Sequence, residues 1–339
     1  MKRILVHLFV SVILIGTFLV GYALEQTAIA GPAAVEIRIL SNPLGSLGYV
    51  ASFGMADLIN KNSPWLRATC AETKSTAVNA RTLAEEPEKR KNTVIYCSVE
   101  TLYPAVQGQA PYKKPYKSAR IVSLLARMTG GFFTYDKNIK RLEDFAGKKV
   151  SIMARYSSPA LISETILRYW GVWDRVKPAY LGWGAAKDAL IDGTIDVMYL
   201  PGSWMGGTKY RLNPAATEAV EAKKDVYYIN FPEKKFKKML EETGFPITWT
   251  EIAPGTFPKQ TEPLGIHLTA LAWYADLEMD EKVVYEICRV MYENADKLGG
   301  YHGILKALTK ENLSRTGTEA DFHPGARRFF KEKGAKFGW

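Results

Sequence analysis

The chain has 339 residues, 47% of them hydrophobic and 24% charged, a length sufficient for two cores and a balance ordinary for a folded globular protein. Disordered, collagen-like and disulfide-dense classes are thereby excluded. A formal charge of +10 favours an anionic ligand, but the basic residues are interleaved with acids, and Lys234-Lys235 with Lys237-Lys238 reads as the wet face of one helix. No nucleic-acid partner is expected.

Lys2 and Arg3 precede an apolar stretch over 4–24, and Ala28-Ile29-Ala30 follows in the small-x-small pattern of a signal-peptidase site. Cleavage is expected after Ala30. Loss of Lys2, Arg3 and Glu25 then lowers the formal charge to +9. An uncleaved anchor is the competing reading, since about 20 apolar residues span a bilayer; the triplet favours export. No cysteine stands near the cut, so a lipoprotein is not indicated.

The mature chain alternates short β-rich runs with helical segments. Strands are predicted over 35–40, 66–72, 93–97 and 121–126, with a glycine-bearing loop at 44–48, a helix carrying Phe53, Ala56, Leu58 and Ile59, and further helices over 75–86 and 99–106. The alternation restarts after Gly130-Gly131. Strands are predicted over 131–135, 149–154, 178–182, 196–200 and 226–231, an apolar extended run over 265–274, and helices over 142–146 and 159–170. The clearest helix spans 280–297, because Val283, Val284, Ile287, Val290 and Met291 share one face. Asp280 and Glu281 lie at its positive end and Gly299-Gly300 ends it. A last helix begins near His323-Pro324.

Such alternation implies a mostly parallel sheet covered by helices. The expected fold class is α/β and two-lobed: one lobe is discontinuous, 31–130 plus 277–339, and the second is 131–276. Ligands of open α/β sheets collect at the C-terminal ends of the strands, here in the cleft between the lobes. Cys70, Cys97 and Cys288 cannot all pair. They read as buried free thiols, with a Cys70–Cys97 bridge between neighbouring strands as the alternative.

Several strings, in order along the mature chain, resemble one family. Asp57-Leu58-Ile59-Asn60-Lys61 with Arg67-Ala68-Thr69, and Val78-Asn79-Ala80-Arg81, are similar to its first helices and second strand. The run from Asp188 to Val197 resembles "DALKDGxIDA", Ile252-Ala253-Pro254-Gly255-Thr256-Phe257-Pro258 resembles "IPAGTYP", and the run from His323 to Gly334 resembles its C-terminal signature. The family is TAXI, the extracytoplasmic solute-binding subunits of TRAP (tripartite ATP-independent periplasmic) transporters.

The resemblance implies a monomeric periplasmic binding protein of type II-like fold that closes on a small carboxylate such as glutamate or 2-oxoglutarate and delivers it to TRAP membrane permease subunits. The contact segments depart from the family's pattern. Gly45-Ser46-Leu47-Gly48-Tyr49-Val50 stands for "GGTYYP", and the run from Thr73 to Asn79 for "TGGSVEN". Ser98 stands where a Gln is frequent, and the run from Met153 to Ala160 replaces "GAPGSGT". Glutamate is therefore not carried over.

Each contact segment follows a predicted strand and opens a helix, where free N–H groups and the positive end of the dipole attract a carboxylate. The candidate ligand-binding residues are Gly48, Tyr49, Ser75, Thr76, Asn79 and Ser98 from the first lobe. Arg155, Tyr156, Ser157, Ser158, Trp183 and Trp204 come from the second. Helix capping is the competing role for the Ser and Thr residues. Arg155 offers a bidentate grip on a carboxylate, and the aromatics suit an apolar or aromatic body. No catalytic motif, metal-ligand spacing or cofactor loop is present, so neither an enzyme nor a cofactor is expected. A periplasmic sensor handing its closed state to a membrane receptor is the alternative function.

Overall fold

The computed structural model describes residues 34–155 and 157–339; the expected export signal and Tyr156 lie outside them. In chain order, β1 (Val35–Leu40) leads to α1 (Leu47–Asn62), β2 (Leu66–Ala71), α2 (Thr76–Glu85), β3 (Thr93–Ser98) and α3 (Val99–Gln107). The long β4 (Ala119–Thr134) carries the chain to β5 (Lys149–Ser151), α4 (Ser158–Tyr169), β6 (Lys177–Ala179), α5 (Trp183–Ile191) and β7 (Val197–Trp204). Next come β8 (Tyr210–Leu212), α6 (Pro214–Ala222), β9 (Tyr227–Ile229), α7 (Glu233–Thr243) and β10 (Thr248–Ile252). β11 (Leu264–Asp276) returns, followed by α8 (Glu281–Glu293), α9 (Ala295–Leu298) and α10 (Pro324–Glu332).

The strands form one sheet in the order β2-β1-β3-β11-β4-β7-β5-β6, with β10 on β11, β8 on β7 and β9 on β4. β1, β2 and β3 are parallel, as are β5, β6 and β7. β4 and β11 run antiparallel between the two groups, from His267 opposite Gly130 to Asp276 opposite Ala119. Two register shifts, at Leu271/Ala272 and Trp273/Tyr274, bend this pair as β-bulges do. β11 is buried along its whole length, as expected for a strand covered on both faces.

Apolar side chains collect into two cores. One gathers residues between Ile37 and Ala126 and between Ala270 and Phe330; the other gathers residues between Phe132 and Ile266. The chain therefore passes from one core to the other inside β4 and back inside β11. The two long strands are the connection between the cores.

Two sequence expectations are corrected. The strands expected over 121–126 and 131–135 are a single strand, β4. Gly130-Gly131 does not interrupt it: a Cβ on Gly131 would meet Ile266 Cγ2 at 2.7 Å, so glycine is there for close packing across the ladder. The helix expected over 280–297 divides at Asn294, where φ is −117° and ψ 22°. The Asn294 side chain donates to the Val290 carbonyl at 2.8 Å, a local bond that competes with the helix ladder. Its amphipathic face is as expected, with Val283, Val284, Ile287, Val290 and Met291 all buried. Of the two readings of the cysteines the bridge is excluded, because Cys70, which is half-buried, on β2 and Cys97 on β3 flank β1 rather than each other. Two strand spacings of about 4.8 Å hold them beyond disulfide reach, and all three cysteines are free.

Candidate functional site

Helices α1, α2 and α3 begin where β1, β2 and β3 end, and α4 and α5 begin beyond the ends of β5 and β6. The start of α3, from the first lobe, meets the start of α4, from the second. Ser158, the first residue of α4, donates its hydroxyl to the Glu100 carboxylate in the first turn of α3. Thr269, on the connecting strand β11, donates to the other Glu100 oxygen at 2.5 Å. Tyr103 Oη adds a second bridge to the Thr243 carbonyl, 2.6 Å away in the second lobe. Glu100 is fully buried and enters no ion pair among the described residues.

The predicted residues divide into groups. Thr76, Ser98 and Ser158 come together around α3: Thr76 Oγ1 lies 3.5 Å and Ser98 Oγ 2.7 Å from Thr101 Oγ1, one residue from Glu100. The N-terminus of α3 has no side-chain cap bond, leaving its first amides available to an anion. Ser75 and Ser157 cap α2 and α4, accepting from Val78 N–H at 3.3 Å and Ala160 N–H at 3.4 Å. Asn79 is fully buried and spends its amide on three carbonyls, those of Leu40, Ser41 and Tyr96. Its role is to tie α2 to β1 and β3. Gly48 presses on Tyr96, where a Cβ would stand 2.5 Å from the ring, and the Tyr49 N–H donates to the Ser46 cap at 3.2 Å.

Arg155 is exposed, with its guanidinium 3.8 Å from the centre of the Tyr180 ring, a cation–π contact. Trp183 opens α5 at 40% exposure. Trp204 is buried, bonded through Nε1 to the Gly207 carbonyl at 2.7 Å and stacked 4.8 Å from the Arg127 guanidinium. Because Arg127 pairs with Ala270 in the ladder, it lies on the sheet face opposite Thr269. Trp204 is thus separated from the cluster around Glu100. Tyr156 lies outside the described residues.

Sequence reasoning missed Glu100, Thr269, Arg127 and the pair Tyr199–His267. An acid in a helix's first turn ordinarily reads as favourable to the dipole, and nothing in the string Ser98-Val99-Glu100-Thr101 marks it for burial. His267 shares a face of β11 with Thr269. Its Nε2 is 2.9 Å from Tyr199 Oη, and its buried Nδ1 has no partner among the described residues. Burial lowers the His267 pKa to about 3, so the ring is neutral. Burial pushes the Tyr199 hydroxyl up, and the charge of Glu100 adds to the shift. Arg127, buried beside Arg315, has its pKa lowered to about 10, chiefly by burial. Among the described residues no three His, Cys, Asp or Glu side chains are grouped to hold a metal ion.

Among solved structures, a Xanthomonas citri protein, XAC2383, bound to ATP is similar at 12% identity and a TM-score of 0.51, over 89% of this chain and 95% of that one. MatC from Rhodopseudomonas palustris with bound malate is similar at 15% identity and a TM-score of 0.48, over 88% of this chain and 96% of its own. The periplasmic aliphatic sulphonate binding protein SsuA from Escherichia coli gives 14% and 0.45, over 81% and 78%. The fold is the mixed α/β arrangement of type II periplasmic binding proteins, one curled sheet shared by two cores. The model of the NMT1-like family matches residues 39–334, nearly all of the described chain, and the protein belongs to that family.

Proposed function

We propose that this protein is an extracytoplasmic solute-binding protein of the TAXI kind, which captures a small organic anion, a carboxylate, by lobe closure and presents it to a TRAP-type membrane permease. The observation that carries the reading is the meeting of two helix N-termini, those of α3 and α4, from separate cores joined by two continuous strands. Free amides at the start of α3 and the positive ends of both dipoles suit an acid group bound between them. Contacts made to both lobes at once favour the closed state. The solute leaves unchanged, with no bond made or broken. Export with cleavage after Ala30, and action as a monomer, belong to the same reading.

A thermal-shift panel of organic acids on the mature chain, after native mass spectrometry of protein from its own host, tests it. An upward shift by carboxylates and a released solute of unaltered mass are expected; steady turnover of the added acid contradicts it. Arg155→Ala is expected to weaken carboxylate binding by about tenfold, the scale of one lost charge-assisted bond, with the melting temperature unchanged. Equal affinity in calorimetry means that Arg155 only stacks on Tyr180.

A further inference from the structure

Glu100 is a buried carboxylate at the junction of the two cores, where the starts of α3 and α4 meet. Its two partners come from different parts of the chain, Ser158 of the second lobe and Thr269 of a connecting strand, and both are neutral hydroxyls. A carboxylate offers about four acceptor sites, so two remain, and no cation of the described residues compensates the charge. Burying an anion in this way is costly unless positive charge or further donors arrive. An orphaned polar atom stands nearby: His267 Nδ1, buried and unpartnered, lies two residues from Thr269 on the same face of β11. The ordinary role of a first-turn acid, favouring its own helix dipole, needs no burial and no partner from another lobe.

We propose that Glu100 sets the polarity of the solute: the cleft selects acids that carry a hydrogen-bond donor, a hydroxyl or a protonated amine, and rejects keto acids and unsubstituted dicarboxylates. The inference rests on the solute-binding reading and deepens it. A keto oxygen or a second carboxylate at this place meets Glu100 acceptor to acceptor and leaves it unsatisfied. A donor completes the shell that Ser158 and Thr269 begin.

Calorimetry on the mature chain with two matched sets tests this: succinate, malate, aspartate and oxaloacetate, then glutarate, 2-hydroxyglutarate, glutamate and 2-oxoglutarate. In each set that binds, the donor-bearing acids are expected to bind about 10–100-fold tighter than their keto and unsubstituted partners, the scale of an unsatisfied buried acceptor. In Glu100→Gln, whose amide presents a donor as well as an acceptor, that ratio is expected to collapse. Glu100→Ala, checked for folding by its melting curve, serves as the second variant and is expected to lose the ratio also. A folded variant that keeps the wild-type ranking overturns the role of Glu100, as does a wild type that prefers keto or unsubstituted acids. Failure of all eight acids to bind sinks the carboxylate reading itself and this inference with it.

Discussion

Gly130→Ala is expected to destabilise the protein by about 2–4 kcal/mol, the sum of overpacking and a severed buried hydrogen bond, and to lower the melting temperature by roughly 3–6 °C. An added Cβ would stand 1.8 Å from Tyr199 Oη and 2.3 Å from His267 Nε2, inside the hydrogen bond that joins β7 to β11. The position lies in β4 where the strand leaves one core for the other, so neighbouring backbone cannot yield without moving the connection between the lobes. Gly130→Ala combined with Tyr199→Phe is expected to recover part of the loss, because the removed hydroxyl is the nearest obstacle. That non-additivity is the signature of direct contact. A neutral Gly130→Ala, or strictly additive losses, contradicts this account of the crossing.

Acid destabilisation should carry a one-proton contribution from His267. The ring is neutral in the fold down to about pH 3, whereas in the unfolded chain it takes up a proton near pH 6.5. Above pH 6.5 both states are neutral and the full stability is present. As the pH falls from 6.5 toward 3 the unfolded state gains a proton that the folded state refuses, and stability declines by about 1.4 kcal/mol per pH unit. Between pH 6.5 and pH 4.5 this amounts to about 2–3 kcal/mol. His323, also lowered chiefly by burial, acts in the same direction, so the contribution of His267 is read from a difference. In urea unfolding followed across this range, His267→Gln is expected to flatten the profile by one proton relative to the parent. Parallel profiles would show that His267 is protonated in the fold.

Much of the architecture was legible in the sequence because it rests on local signals. The face of α8 repeats at helical spacing, and the capping roles of Ser75 and Ser157 follow from hydroxyls placed just before helices. What was not legible depends on register across the sheet. Gly130-Gly131 carries the mark of a break, yet in place it is a pair of close approaches inside a strand, visible only once Ile266, His267 and Tyr199 are its neighbours. Likewise β11 reads as one apolar run with no sign of where it changes cores, since both cores want the same side chains; the change falls between Ile266 and Ala270.

The site divides in the same way. Ser98 ends β3, and Thr76 and Ser158 open helices after strands, a placement legible from the pattern of elements alone. The burial of Glu100 is not legible there, because it comes from Ser158 and Thr269, which stand 58 and 169 residues away in the chain. The side-chain amide of Asn79 donates to three backbone carbonyls, a tie that its place in the chain does not mark.

Small-angle X-ray scattering of the mature chain, titrated with the acid that gives the largest thermal shift, tests lobe closure most directly. The account predicts a smaller radius of gyration at saturation, reversed when the acid is dialysed away. Superimposable curves with and without that acid, while calorimetry shows the site filled, would contradict it.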